Sequence, residues 1–388
     1  MKSRIFAIAG RFKEEGEGVL TSLAAAMGSI SMLKWLQENN ARFGSRTCSM
    51  AAKAGHFELL KWLHQEQECP IDRKSSQRAA KGGHLDILKW LQKEGYPICG
   101  GCSDLAAKRG HIEVMIWLET GTRWEQVMDE HIWAVKGGRL DVLKWLRANR
   151  HYVWARSWNA AAERGDLEIL DWLKQNTSIE AKDYDKLCEH AARGGHVEVL
   201  KWLRENEFPL SHIIWLGAAE KGQVGVLKWA NENNIPRNDV WKKVIFKAAA
   251  SGILEALKWM KEADEASFQL SLNGRGSILY HAMITGGNVE MMKWLKEIGS
   301  CRIGGQGVTE LACYMVAKEG NLEMLKWMRE IGYKWNSMTT SHAAEEGHLE
   351  LLEWALLNGC PYDVHKLKSP PFIQRWLRRN GYLPKEEK

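Results

Sequence analysis

The polar and apolar letters of residues 83–95, GHLDILKWLQKEG, sort onto two faces of a helix. Leu85, Ile87, Leu88, Trp90 and Leu91 form an apolar arc, and Asp86, Lys89, Gln92 and Lys93 fall between them on the other face. The stretch recurs along the chain. A glycine followed seven residues later by tryptophan occurs twelve times, with the tryptophans at positions 35, 62, 90, 117, 145, 172, 202, 229, 259, 294, 327 and 354. The basic unit is therefore 27 or 28 residues, with insertions in four of the last six intervals. A fixed period of this size means one supersecondary unit per repeat rather than several globular domains.

A second helical signal precedes each glycine and ends in a small pair, as in Ala51-Ala52, Ala79-Ala80, Ala106-Ala107, Ala161-Ala162, Ala191-Ala192, Ala218-Ala219 and Ala343-Ala344. Small residues let neighbouring helices approach closely. The glycine supplies the positive φ that ends a helix and turns the chain. Histidine follows it at His56, His84, His111, His196 and His348, where capping or hydrogen-bonding of the turn is the expected role. Acid-then-lysine pairs three residues apart recur on the solvent side, for example Glu58 with Lys61 and Glu198 with Lys201. Gly95, Asn206, Gly332 or Gly359 then stops the helix, and proline often follows, as at Pro97, Pro209 and Pro361. The predicted unit is a short helix, a tight turn, a longer helix and a brief loop.

The string AAKGGHLDILKWLQKEG and its copies resemble the ankyrin repeat over roughly residues 20–360. The resemblance implies an all-α, ankyrin-like helix-turn-helix solenoid of about 12 repeats, with residues 1–18 as an N-terminal cap, 19–362 as a single array and 363–388 as a degenerate capping repeat and tail. Two departures stand out. Most units are about six residues shorter than the ankyrin period of about 33, and none carries its T-P-L-H opening. The β-turn finger is therefore expected to shrink to a short loop, with room for a full finger only around residues 300–320.

Twenty tryptophans are the compositional anomaly. Each anchor tryptophan sits on the apolar arc, so a core position spanning the gap to the next repeat is expected, in preference to an exposed ladder for stacking sugars or bases. Eight cysteines in a long chain with ample core residues suggest buried thiols in a reducing compartment. Cys48, Cys188 and Cys313 recur in register as small buried hydrophobes would. Cys99-Gly-Gly-Cys102 has redox or zinc half-site spacing but no matching second pair, and is taken as loop cysteines. GGQG at 304–307 lacks the lysine of a phosphate loop and is taken as part of a flexible finger.

The net charge of +6 comes from interspersed residues without long basic blocks, so nucleic acid is not the expected partner. No apolar run reaches the length of a membrane span, and an intracellular, cytoplasmic monomer is expected. No nucleophile with an adjacent base stands out, so neither an enzyme, a cofactor nor a metal site is expected. The variable positions between the small pair and the glycine are often basic: Lys53, Lys81, Lys108, Arg109, Lys136, Arg164 and Arg193. Cations suit a helix C-terminus for dipole reasons, and the same residues could line up as a docking stripe for an acidic protein. The insertion at 261–280 breaks register most and is the expected place for a feature peculiar to this chain. A non-catalytic protein-binding scaffold follows, with a substrate-recruiting subunit of a modifying complex such as a ubiquitin ligase, or a nucleic-acid or glycan binder, as alternatives.

Overall fold

The computed structural model describes residues 17–121, 129–149, 156–272, 289–298, 306–364 and 369–384. Among them are 25 α-helices, two single-turn 3-10 segments and no strand, so the fold is an all-helical repeat. The chain divides into two compact units, Met1–Asp183 and Tyr184–Lys388.

In the first unit the helices come in pairs: Glu17–Ala26 with Ile30–Glu38, Ser45–Ala54 with Phe57–Gln65, Arg73–Gly82 with Leu85–Lys93, Gly101–Arg109 with Ile112–Gly121, Glu130–Gly137 with Leu140–Ala148, and Arg156–Arg164 with Leu167–Asn176. The expected contrast between a short and a longer helix is absent, since Arg73–Gly82 has 10 residues and Leu85–Lys93 has 9. The first turn of Arg73–Gly82 is polar and shows no apolar period. It is started by a cap, the Asp72 carboxylate accepting from the Lys74 amide at 3.0 Å.

First helices of successive repeats approach one another much more closely than second helices do. The small pairs permit this, being wholly buried at Ala51, Ala52, Ala79, Ala80, Ala106 and Ala107. Where the glycine is doubled the approach is closer still: a Cβ on Gly82 would stand 2.4 Å from the Lys53 carbonyl oxygen, and one on Gly137 would stand 2.0 Å from that of Lys108. Gly55 and Gly83 close their helices at φ 80° and 81°, and the amides of His56 and His84 reach back to the Ala51 and Ala79 carbonyls.

The residue after each turn glycine ties its repeat to the one before. The ring N–H at Nε2 of His56, His84 and His111 donates to the carbonyls of Ala26, Lys53 and Lys81 at 3.0, 3.1 and 3.1 Å. A carbonyl can only accept, which fixes the proton on Nε2. Each ring also lies on the preceding turn glycine, so that a Cβ on Gly55 would stand 2.3 Å from the His84 ring. The histidines therefore bond across repeats rather than cap their own turn. In the second unit His348 does the same to Lys318 at 2.9 Å, and Gln223 replaces histidine in bonding Arg193 at 3.0 Å.

The second unit pairs Tyr184–Gly194 with Val197–Glu205, Ile213–Lys221 with Val224–Glu232, Trp241–Ala250 with Leu254–Ala263, Gln306–Lys318 with Leu322–Glu330 and Ser337–Glu345 with Leu349–Leu357. Val289–Glu297 is the second helix of the Trp294 repeat, and Pro371–Arg379 closes the described chain with Ile373 and Leu377 buried. Two expectations are corrected here. Residues 306–318 form a 13-residue helix, so the extra length lengthens a first helix, and Gln306 and Gly307 belong to it rather than to a flexible finger. Residues 299–305 lie outside the described residues. The start of the 261–280 insertion forms an additional helix, Glu265–Leu272, which buries Phe268 and Leu272 and sets Phe268 edge-on to Trp294. The rest of the insertion lies outside the described residues, as do residues 1–16 of the expected cap.

The tryptophans are less uniformly buried than the sequence implies. Of the twelve anchor tryptophans, Trp90, Trp202, Trp229 and Trp327 are buried, Trp35 at the first repeat is exposed and the rest are half-buried. They fill the wider gap between second helices. Trp90 meets Phe57 and His64 of the preceding repeat edge-on at 5.9 Å, and Lys34 and Arg204 lie over Trp62 and Trp229 of the repeats that follow them. These rings brace against the preceding repeat, where the sequence implies the next one, and full burial requires the particular neighbour. The helix then ends with a side-chain cap that recurs, the Asn206 and Asn233 amides donating to the Trp202 and Trp229 carbonyls at 2.7 Å. Asn206 is thus the cap, and the left-handed stop is Glu207 at φ 62°.

The cysteine column is a donor column. The Cys48 and Cys188 thiols point at the loop carbonyls of Cys69 and Pro209 at 3.7 and 3.6 Å, as the Ser76 and Thr340 hydroxyls do at Pro97 and Pro361 at 3.1 and 2.9 Å. A buried thiol, hydroxyl or threonine is interchangeable there because each supplies one proton to a loop carbonyl.

Replacing Trp90 with alanine is expected to cost about 3–5 kcal/mol of unfolding free energy, and Trp35→Ala about two-thirds of that because it is 37% exposed where Trp90 is 9% exposed. Denaturant titration of both variants checks the difference, and equal losses would contradict the brace.

Candidate interaction surface

The basic residues of the first unit stand in the last turns of their first helices, where a cation also offsets the negative end of the helix dipole. The inter-repeat bonds use the carbonyls of Lys53 and Lys81, which leaves the side chains to project past the turn. Among the described residues no ion pair reaches Lys53, Lys81, Lys108 or Arg109. They lie close enough to repel. The Lys81 ammonium is pushed below the usual lysine range, by burial first and then by Arg109, Lys53, Lys108 and Arg78.

Trp133 lies beside this cluster. Lys108 Nζ and Lys136 Nζ stand 5.3 and 4.8 Å from its ring centroid. The nearby Asp104 carboxyl is raised above the usual range, by burial first and then by Asp129, with the Trp133 indole pulling the other way. Two ammonium groups therefore lie over one half-buried ring.

Two of the sequence-derived candidates serve the fold instead. Arg164 donates to the Lys136 carbonyl at 3.2 Å, pairs with Asp166 at 3.2 Å and covers Gly138, which is the strut role histidine has elsewhere. It takes that role because acidic Asp166 occupies the position after the glycine and caps the next helix through the Ile169 amide. Arg193, in the second unit, is paired with Glu220 at 3.1 Å, and Glu220 also binds Lys247 at 2.7 Å. Arg78 and Trp133 were missed. Both occupy the column just before the small pair, which reads Met50, Arg78, Leu105, Trp133 and Ala160 and is half-buried throughout. Its failure to repeat was the available signal.

The acid-lysine ladder forms at Glu58 with Lys61, Glu198 with Lys201, Glu255 with Lys258 and Glu323 with Lys326, all solvated and worth little. Asp141 instead pairs with Arg139 at 2.7 Å. Among the described residues no three histidine, cysteine or acidic side chains converge as a metal would need. No described helix is long and apolar enough to cross a membrane.

Residues 48–92, which contain two of the helix pairs with their glycine turns and histidine struts, match the family model described as ankyrin repeats in many copies. Residues 48–92 carry ankyrin-type repeats. The search of curated proteins returned no match. Among solved structures, the pentatricopeptide repeat protein PPR10 from maize aligns over 98% of this chain at 12% identity, with a TM-score of 0.33. The chain spans 62% of the length of that structure. PPR10 in complex with an 18-nt psaJ RNA element aligns over 99% of this chain and 77% of its own at 10% identity, with a TM-score of 0.25. Likenesses of that size bear on no functional question.

His131, next to Asp129 and Arg156, is 3% exposed, and its Nε2 has no hydrogen-bond partner among the described residues. Burial lowers its pKa from 6.5 to about 4, against the opposing pull of Asp129. The unfolded chain therefore takes up a proton that the folded chain refuses. Stability from this site is complete above about pH 6.5 and is lost as pH falls towards 4, by up to roughly 3 kcal/mol. His131→Gln is expected to flatten that part of the stability-versus-pH curve, and a curve parallel to the wild type would contradict the assignment.

Proposed function

We propose that the chain is a non-catalytic binding scaffold whose partner is a protein bearing an acidic segment, docked along the first-helix edge of the first unit. Lys53, Arg78, Lys81, Lys108 and Arg109 supply the charge, and Trp133 beside Lys108 and Lys136 supplies a flat apolar anchor of the kind that dominates interfaces. The observation that carries this is the accumulation of cations with no ion pair among the described residues, whose mutual repulsion adds to burial in depressing Lys81. An acidic ligand would relieve that repulsion on binding. The register of the repeats supports one array over residues 19–362, with the non-repeating column as its readout.

The same ring beside two lysines also suits a nucleobase, so two probes are compared. A fluorescent polyglutamate peptide and a labelled single-stranded RNA oligonucleotide are titrated against the full chain across a salt series. Peptide binding is expected, weakening with salt, and Lys81→Glu with Lys108→Glu and Arg109→Glu is expected to lower its affinity by at least about tenfold, or about 1.4 kcal/mol. Unchanged peptide affinity in the triple variant, or binding of the RNA alone, would overturn the acidic-protein assignment.

A further inference from the structure

The chemistry of Cys99 and Cys102 is used by neither the stacking nor the basic surface. The Cys102 amide bonds the Cys99 carbonyl at 3.0 Å, and this turn brings the two sulfurs to 3.6 Å on one side of the chain. The intervening glycines keep the turn open, since a Cβ on Gly101 would meet only the Gln77 amide, at 3.2 Å. The two thiols differ. Cys99 is half-exposed, whereas Cys102 is wholly buried in the first turn of helix Gly101–Arg109.

The surroundings of Cys99 favour its thiolate. The Cys102 thiol first, and the Gln77 amide with it, lower its pKa against the opposing effect of burial, with Ser76 Oγ 3.6 Å and the Arg73 carbonyl 3.7 Å from the sulfur. Cys102 is pushed up, by its hydrogen bond to Cys99 first and by burial second. The pair thus has an accessible sulfur fit to attack and a protonated one behind it fit to resolve. Cys48 and Cys69 differ in that both are buried, whereas Cys99 is partly exposed, although all three sulfurs lie near a backbone carbonyl.

We propose that Cys99 and Cys102 form a thiol–disulfide exchange site that acts on accessible disulfides of the general form RS–SR′. The Cys99 thiolate attacks one sulfur of the substrate, forming a mixed disulfide and expelling R′S⁻, which takes up a proton. Cys102, losing its proton, then attacks the Cys99 sulfur, forming the Cys99–Cys102 disulfide and expelling RS⁻. Two electrons pass from the dithiol to the substrate, which leaves as RSH and R′SH. A dithiol such as dithiothreitol reverses the reaction.

The test uses the full chain and oxidised glutathione at pH 7, followed by acid quench, alkylation and peptide mass spectrometry. The wild-type peptide containing both cysteines is expected to lose two hydrogens and to escape alkylation, and dithiothreitol is expected to restore it. Cys102→Ser is expected to trap glutathione on Cys99, and Cys99→Ser to carry no adduct on Cys102. Alkylation of both residues in the wild type after exposure to oxidised glutathione would overturn the proposal. If either serine variant loses its helical circular dichroism, the rate of iodoacetamide modification in the wild-type chain decides. Cys99 should react at pH 6.5 at least about tenfold faster than the glutathione thiol, and a slower rate would overturn the proposal equally.

Discussion

A hydrogen bond between neighbouring repeats, made over a glycine that has no side chain, sets how the units stack. The residue after one turn reaches the last-turn carbonyl of the preceding first helix, and its bulk occupies the space a Cβ would need. Glycine therefore answers two demands at once, a left-handed φ and an empty site for the next repeat's side chain. Histidine meets the demand most often, but glutamine and arginine meet it at Gln223 and Arg164. Ile253 covers Gly222 by contact alone, so shape as well as the hydrogen bond is being supplied.

The rest of each unit follows from that junction. With first helices held close by alanine pairs and doubled glycines, second helices are left farther apart, and a large ring is needed between them. The two contributions differ in size. A strut bond is worth about 1 kcal/mol net, whereas burying most of an indole is worth several times that. The tryptophans supply most of the cohesion and the struts supply the register.

The period, the small pairs, the glycine turns and the acid-lysine ladder were legible because each depends on residues within one repeat. What the sequence did not disclose depends on two repeats together. Arg164 looks like a surface cation until Asp166 is seen to have displaced the histidine, and Arg193 looks like one until Glu220 is placed beside it. Trp35 and Trp90 share one motif and differ in exposure because Trp90 has Phe57 and His64 of the preceding repeat against it. The helix at Gln306–Lys318 escaped because its added length was assigned to a finger by analogy, not to the helix that contains it. Arg78 and Trp133 escaped for a related reason, as alignment draws the eye to columns that repeat while the surface is written in one that does not.

The cross-repeat strut is tested most directly by equilibrium unfolding of His84→Gln and His84→Ala beside the wild type. Glutamine can donate to the Lys53 carbonyl as Gln223 does to Arg193, so His84→Gln should lie within about 0.5 kcal/mol of the wild type while His84→Ala loses about 1–2 kcal/mol. Equal stability of the two variants would contradict the account, because the side chain would then be filling no role that its hydrogen bond defines.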